Sequence, residues 1–125
     1  MNSRKKPVFL NLFIIRFSMA AIMSVIHRIS GVVMVLVIPV LLYILQLSLS
    51  ADKGFNTVAA FFAHPLGLFI LFLMLWALMH HLFAGMRYLL IDIDVGVEHP
   101  TYRYSAWAVM LVSPLVALIL LGGLA

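Results

Sequence analysis

The stretch ISGVVMVLVIPVLLYILQLSLSA, residues 29–51, contains no Asp, Glu, Lys or Arg. An α-helix rises about 1.5 Å per residue, so about 20 apolar residues cross a hydrocarbon core of roughly 30 Å. This stretch is therefore long enough for one membrane-spanning helix. Residues 54–86 and 104–125 are also free of charged side chains, and each can supply another span. The sequence predicts an all-α membrane protein with three transmembrane helices.

The composition agrees with that fold class and excludes several kinds of function. Of the 125 residues, 66% are hydrophobic and 10% are charged, far from the averages of a soluble domain. Three spans use the available length, so no soluble domain is expected. The absence of cysteine excludes disulfides, iron–sulfur ligation, covalent haem attachment and thiolate nucleophiles. The net charge of +4 indicates membrane topology and lipid headgroup contact, with no sign of nucleic-acid binding.

We expect a transmembrane anchor domain over residues 20–125, with spans at about 20–49, 65–90 and 104–124. Pro39 lies inside the first span, and Pro65 suits the first turn of the second. The polar stretch at residues 48–57 is predicted to be a loop. Residues 1–19 have features of a signal peptide, but Asn11 interrupts their apolar run and Arg16 lies near the potential cleavage point. We therefore interpret this segment as a retained, cytoplasmic amphipathic lead-in.

The distribution of Lys and Arg predicts the orientation in the membrane. The first loop holds only Lys53, whereas Arg87 and Arg103 flank the second loop. By the positive-inside rule, the N-terminus and the second loop face the cytoplasm and the C-terminus faces outward. For a bacterial inner membrane, that outer side is the periplasm. The cations before the first span are Arg4, Lys5, Lys6 and Arg16.

The segment SVIHRISG, residues 24–31, puts polar side chains at the cytoplasmic end of the first span. Ser24 and Arg28 are four residues apart and share one helix face, so both can contact the same ligand. Arg28 alone could equally be a snorkelling side chain at the headgroups. His27 and Ser30 bring the number of polar groups on two turns to four, which favours a ligand or a partner helix, because apolar neighbours cannot satisfy them.

The second polar segment, WALMHHLFAGMRYLLIDID at residues 76–94, lies in the second span. His81, Gly85 and Tyr88 follow the helical spacing i, i+4, i+7 and form one stripe. A glycine one turn from a histidine leaves space for a flat macrocycle near the backbone. We therefore predict that His81 is a haem axial ligand, with Gly85 and Tyr88 packing against the haem. The adjacent stripe consists of His80, Ala84 and Arg87.

Haem also needs cations for its two carboxylates. Arg87 lies about 9 Å along the helix axis from His81 toward the cytoplasm, and Arg28 reaches a similar depth from the first span. The alternative is that the histidines only form hydrogen bonds with a neighbouring helix. Copper or zinc is a weaker hypothesis, because no cluster of His, Asp or Glu surrounds His81 in the sequence.

Taken together, these segments resemble the cytochrome b membrane-anchor subunit of succinate dehydrogenase, respiratory complex II. Residues 5–22, KKPVFLNLFIIRFSMAAI, are similar to the family's R-P-x-x-L-x-L-x-x-I-R-F-x-x-x-A-I, with Lys6 where arginine is usual. The family pattern S-x-x-H-R-x-S/T-G is matched by Ser24, His27, Arg28, Ser30 and Gly31. The pattern H-x-x-x-G-x-R, followed by an acidic residue, is matched by His81, Gly85, Arg87 and Asp92.

The resemblance implies a subunit that is inactive alone and works in a heteromeric helical bundle. In the family, a flavoprotein subunit oxidises succinate, and an iron–sulfur subunit passes the electrons to quinone. One haem b is shared with a second anchor subunit, and His81 would be its ligand from this chain. Ser24 and Arg28 would line the quinone site, while His27 and Arg28 would lie near the haem propionates. Many members carry histidine where this chain has Tyr88.

Two other functions remain open from the residues alone. A proton-conducting or transporter subunit without haem would use Arg28 and the histidines as a proton path. The second alternative is a structural membrane anchor that has lost its cofactor. Both predict no Soret absorption in the purified protein.

Overall fold

The computed structural model describes residues 17–124 as four helices, with no strand among those residues. Three of them are long and apolar enough to cross a membrane, which confirms the predicted fold class. The predicted lead-in, apart from its last three residues, and the four cations before the first span lie outside the described residues. The helices are α1 (Met19–Ser50), α2 (Asp52–Ala63), α3 (Pro65–Asp92) and α4 (Thr101–Leu124).

Local sequence signals set where the long helices begin. Ser18 is the N-cap of α1, and its side chain accepts a hydrogen bond from the backbone N–H of Ala21 at 3.3 Å. His64 caps α3 in the same way by accepting from the N–H of Leu66 at 3.2 Å. Pro65 follows as the first helical residue, where a missing N–H costs nothing. α3 therefore begins at Pro65.

The prediction of a loop over residues 48–57 is wrong, because α1 continues to Ser50 and α2 begins at Asp52. Ser48 and Ser50 donate their hydroxyls to backbone carbonyls one turn earlier, so these polar side chains are satisfied inside the helix. Asp52 places a negative charge in the first turn of α2, which stabilises the helix dipole. The chain is non-helical only at Ala51 between the two helices.

The folded-back α2 packs very closely against the ends of its neighbours. A Cβ atom added to Gly54 would lie 2.2 Å from the carbonyl oxygen of Leu47. A Cβ atom on Gly67 would lie 2.0 Å from the carbonyl oxygen of Phe61. Both positions therefore require glycine for the close approach of two backbones.

The buried core lies where α1, α3 and α4 meet, at the end of the bundle predicted to be cytoplasmic. Small residues such as Ala84 and Ala106 let the helices approach closely. Outside this cluster, most large apolar side chains are exposed, including Leu36 at 66% and Leu49 at 77%. These exposed side chains suit contact with lipid or with another membrane chain. The core cluster consists of Met23, Ala84, Ala106 and Val109.

The second loop returns the chain from α3 to α4 over residues 93–100. Asp94 and Gly96 adopt positive φ values of 60° and 79°, in a turn that follows the end of α3. The last turns of α3 therefore lie beside the first turn of α4, with Arg87 next to Tyr102 and Ser105.

Candidate functional site

The imidazole of His81 is held by α1. Its Nδ1 atom lies 3.2 Å from the backbone carbonyl oxygen of His27 and 3.2 Å from the Oγ atom of Ser30. Ser30 donates its own hydroxyl to the same carbonyl at 2.8 Å. Because a carbonyl only accepts hydrogen bonds, Nδ1 carries the proton and Nε2 has the free lone pair. An imidazole fixed in this tautomer is ready to ligate a metal through Nε2.

His27 lies against the same imidazole. The two ring centroids are 4.2 Å apart and the ring planes differ by 16°, so the rings are stacked. Gly31 makes this arrangement possible, since a Cβ atom there would lie 3.0 Å from Cε1 of His81. A Cβ atom added to Gly85 would lie 3.6 Å from Nε2 of His27, which is ordinary van der Waals contact. Both glycines of the two sequence motifs therefore border the paired histidines.

Tyr88 completes this group of side chains. Its ring lies 5.2 Å from the ring of His27 at an angle of 58°. The Tyr88 hydroxyl and Nε2 of His27 are buried, and neither has a hydrogen-bond partner among the described residues. Buried polar atoms usually have partners, so two unsatisfied atoms beside one histidine pair indicate a missing ligand or a group from another chain.

Ser24 and Arg28 lie on a different part of the α1 surface. Ser24 is half-buried and Arg28 is exposed. At 3.6 residues per turn, Arg28 is roughly 40° from Ser24 and roughly 160° from the buried Ser30. The two predicted quinone ligands thus share a face, and that face points away from the core of this chain. A site on it has to be completed by other molecules.

Arg87 is buried and lies on the stripe that faces α4. Its Nε donates to Ser105 Oγ at 2.9 Å, and its Nη2 donates to the Tyr102 carbonyl oxygen at 2.9 Å. Sequence analysis predicted a position near haem carboxylates and did not anticipate these contacts. Five N–H groups belong to a guanidinium, so donors remain for a further ligand. The observed role of Arg87 is to tie the end of α3 to the start of α4.

We expect Arg87→Lys to destabilise the protein by about 1–3 kcal/mol, because lysine cannot reproduce the two directed hydrogen bonds of the buried guanidinium. Thermal unfolding of the purified protein in detergent measures the effect. The matched control is Arg103→Lys, at an exposed position, where a change within about 0.5 kcal/mol is expected. Equal melting temperatures for the two variants would contradict the role assigned to Arg87.

Sequence reasoning missed two further features of this region. Ser30 was recognised as polar, but its position beside Nδ1 of His81 depends on how α1 and α3 pack. Trp76 was not singled out, although its buried indole nitrogen has no partner among the described residues. Within residues 17–124, no three His, Asp or Glu side chains converge as a candidate ion site.

Comparisons with known proteins identify a family for this chain. Residues 2–121 match the profile of the family described as "Succinate dehydrogenase/Fumarate reductase transmembrane subunit". The chain is 35% identical over 119 residues to the succinate dehydrogenase cytochrome b556 subunit of Coxiella burnetii (strain RSA 493 / Nine Mile phase I), covering 94% of each chain. It is 30% identical over 120 residues to the protein of the same name from Paracoccus denitrificans, covering 96% of this chain and 92% of that relative.

Proposed function

The chain belongs to the succinate dehydrogenase/fumarate reductase transmembrane subunit family, and from that membership we propose that it anchors a succinate dehydrogenase in the membrane, where it binds haem b and helps form a quinone-reduction site. Proteins of this family are subunits of an oxidoreductase complex. The present chain is a multi-pass membrane protein, and its relatives are cytochrome b subunits.

The observation that carries the haem assignment is the hydrogen bonding of His81. With Nδ1–H engaged by the His27 carbonyl oxygen, the lone pair on Nε2 is available to iron. Gly85, one turn away, adds no side chain to this helix surface, so a macrocycle there would lie beside the His27 ring that borders it. Haem bound there would supply one-electron transfer within the membrane. We propose that a second anchor subunit shares this haem.

The propionates of such a haem require hydrogen-bond donors and positive charge. Nε2 of His27 and the hydroxyl of Tyr88 are the two buried, unsatisfied polar atoms beside His81, and a carboxylate could accept from either. Arg28 would add charge from α1. Arg87, with N–H groups left over from its bonds to α4, would add charge from α3. These residues fit a group that carries two carboxylates.

We assign quinone binding to Ser24 and Arg28. Reduction of a quinone places negative charge on its carbonyl oxygens, and hydrogen-bond donors directed at those oxygens stabilise it. A hydroxyl and a guanidinium one turn apart on α1 are suitable donors. Because both lie on the face away from the core, the pocket would be completed by partner subunits.

The proposed partners follow from the family to which the chain belongs. A flavoprotein subunit would oxidise succinate, an iron–sulfur subunit would carry the electrons, and the two membrane anchors would deliver them to quinone. We propose the bacterial inner membrane as the location, with the N-terminus in the cytoplasm and the C-terminus in the periplasm, on the basis of the Lys and Arg distribution.

Purification of the native complex through a tag on this chain tests the function. We expect a flavoprotein, an iron–sulfur protein and a second small membrane protein to co-purify, together with a b-type reduced-minus-oxidised spectrum. A haem-free transporter subunit predicts neither the Soret band nor these partners. Recovery of the three partners without haem would support a structural anchor and contradict the role of His81.

A further inference from the structure

The hydroxyl of Ser30 lies at the contact between α1 and α3, and this side chain is only 4% exposed. Its Oγ atom is 3.2 Å from Nδ1 of His81, and it donates to the carbonyl oxygen of His27 at 2.8 Å. The same carbonyl oxygen lies 3.2 Å from Nδ1 of His81. Nδ1, the carbonyl oxygen and the hydroxyl oxygen therefore form a closed triangle of polar atoms.

The proton positions in this triangle follow from the chemistry of its three groups. A backbone carbonyl only accepts, so the Ser30 hydroxyl and the Nδ1–H group of His81 both donate to it. Because the single proton of the hydroxyl is directed at the carbonyl oxygen, the hydroxyl presents a lone pair to Nδ1–H. The Nδ1–H group is therefore shared between two acceptors at the same distance, a backbone oxygen and a side-chain oxygen. Of these two acceptors, only the hydroxyl can be removed by substitution.

Acceptors at Nδ1–H change the properties of the nitrogen on the other side of the ring. A hydrogen bond from the second ring nitrogen fixes the tautomer and orientation of a metal-binding imidazole, and it raises the basicity of the ligating nitrogen. A more basic ligand stabilises the oxidised iron, with its higher charge, more than the reduced iron. Hydrogen bonds to an axial ligand therefore lower the reduction potential of a haem.

We propose that Ser30 is a positioning residue for His81 and that its hydroxyl lowers the reduction potential of the haem. This inference rests on the proposed function, in which Nε2 of His81 ligates the haem iron. Loss of the hydroxyl would also free the His27 carbonyl oxygen from one donor and make it a stronger acceptor for Nδ1–H. Such polarisation changes a hydrogen bond by only about 10–30%. The loss of one of two acceptors is the larger effect and sets the sign.

Redox titration of the haem in the purified complex tests this role with the Ser30→Ala variant. We expect the haem content of the wild type and a higher midpoint potential. At a fixed ambient potential, the ratio of reduced to oxidised haem should increase about threefold, because a typical hydrogen bond changes an equilibrium about fivefold and only the difference between the two oxidation states counts. At about 59 mV per tenfold change for one electron, this is a rise of about 30 mV.

Ser48→Ala is the matched control. Ser48 also donates its hydroxyl to a backbone carbonyl of α1, that of Ile44, but it lies about 27 Å along the helix axis from Ser30. Its removal should leave the midpoint potential at the wild-type value. Ser30→Thr retains a hydroxyl at the same position, so its midpoint should be close to that of the wild type.

An unchanged or lowered midpoint in Ser30→Ala, with a full complement of haem, would overturn the role of Ser30 and leave the haem assignment of His81 intact. Loss of haem from Ser30→Ala alone would make the hydroxyl a requirement for binding and so contradict a role in setting the potential. Absence of haem from the wild-type complex would overturn the proposed function and this inference with it. An experimental structure of the wild-type complex needs no variant: a Ser30 hydroxyl turned away from Nδ1 of His81 would contradict the proposal.

Discussion

The His81→Ala variant is expected to lose the b-type haem of the purified complex, with a haem-to-flavin ratio lowered at least about tenfold. Nε2 of His81 is the nitrogen left free when Nδ1 donates to the His27 carbonyl oxygen. Alanine removes this ligand, and the neighbouring His80 lies on the adjacent stripe of α3, against the Met23 carbonyl oxygen. The reduced-minus-oxidised spectrum and the flavin content of the same sample measure the ratio.

The control for this experiment is His64→Asn. His64 is exposed at the start of α3, where asparagine preserves the N-cap, so the haem content should be unchanged. Both variants should retain the flavoprotein and iron–sulfur subunits on a denaturing gel. A normal haem spectrum in His81→Ala would contradict the ligand assignment, whereas loss of all subunits in both variants would locate the defect in assembly.

The membrane spans could be predicted from sequence because their determinants are one-dimensional. A charge-free run of sufficient length defines a spanning helix without knowledge of its neighbours. The short helix α2 could not be predicted on this basis. Ser48 and Ser50 satisfy their hydroxyls within α1, and Gly54 allows a close backbone approach to Leu47 that spacing alone does not reveal.

The two stripes of α3 were also predictable from helical spacing, but their partners were not. His81, Gly85 and Tyr88 face the His27 ring, as one helix face should. In the adjacent stripe, His80 lies against the Met23 carbonyl oxygen of α1, and Arg87 donates to Ser105 of α4. Which stripe meets which helix depends on the crossing of three helices, and spacing within a single helix contains no information about that.

The tautomer of His81 illustrates the same limit. Sequence spacing identified the residue, but the proton position follows from a 3.2 Å contact with a backbone carbonyl of another helix. Gly31 permits that contact by leaving room for the ring. The sequence shows Gly31 as part of a motif. The reason that a glycine is needed at this position appears only from the packing of α1 against α3.

Arg28→Ala is expected to lower the succinate:quinone activity of the complex by about 10²-fold, while succinate oxidation with a soluble electron acceptor stays near the wild-type rate. Loss of one donor to a developing oxyanion has an effect of this size. The exposed position of Arg28, on the same face as Ser24 and away from the core, means that the fold of this chain does not depend on its side chain. The two assays on one preparation separate quinone reduction from succinate oxidation.

Arg103→Ala is the matched control, because Arg103 is another exposed arginine at the end of the bundle predicted to be cytoplasmic. The complex that carries Arg103→Ala should keep both activities at the wild-type rate. Ser24→Ala should show a smaller selective loss than Arg28→Ala, because a neutral donor forms a weaker hydrogen bond than a charged one. Equal loss of the two activities in Arg28→Ala would instead assign this arginine to assembly of the complex. Only a selective loss, shared in smaller degree by Ser24→Ala, is consistent with one quinone carbonyl site on this face of α1.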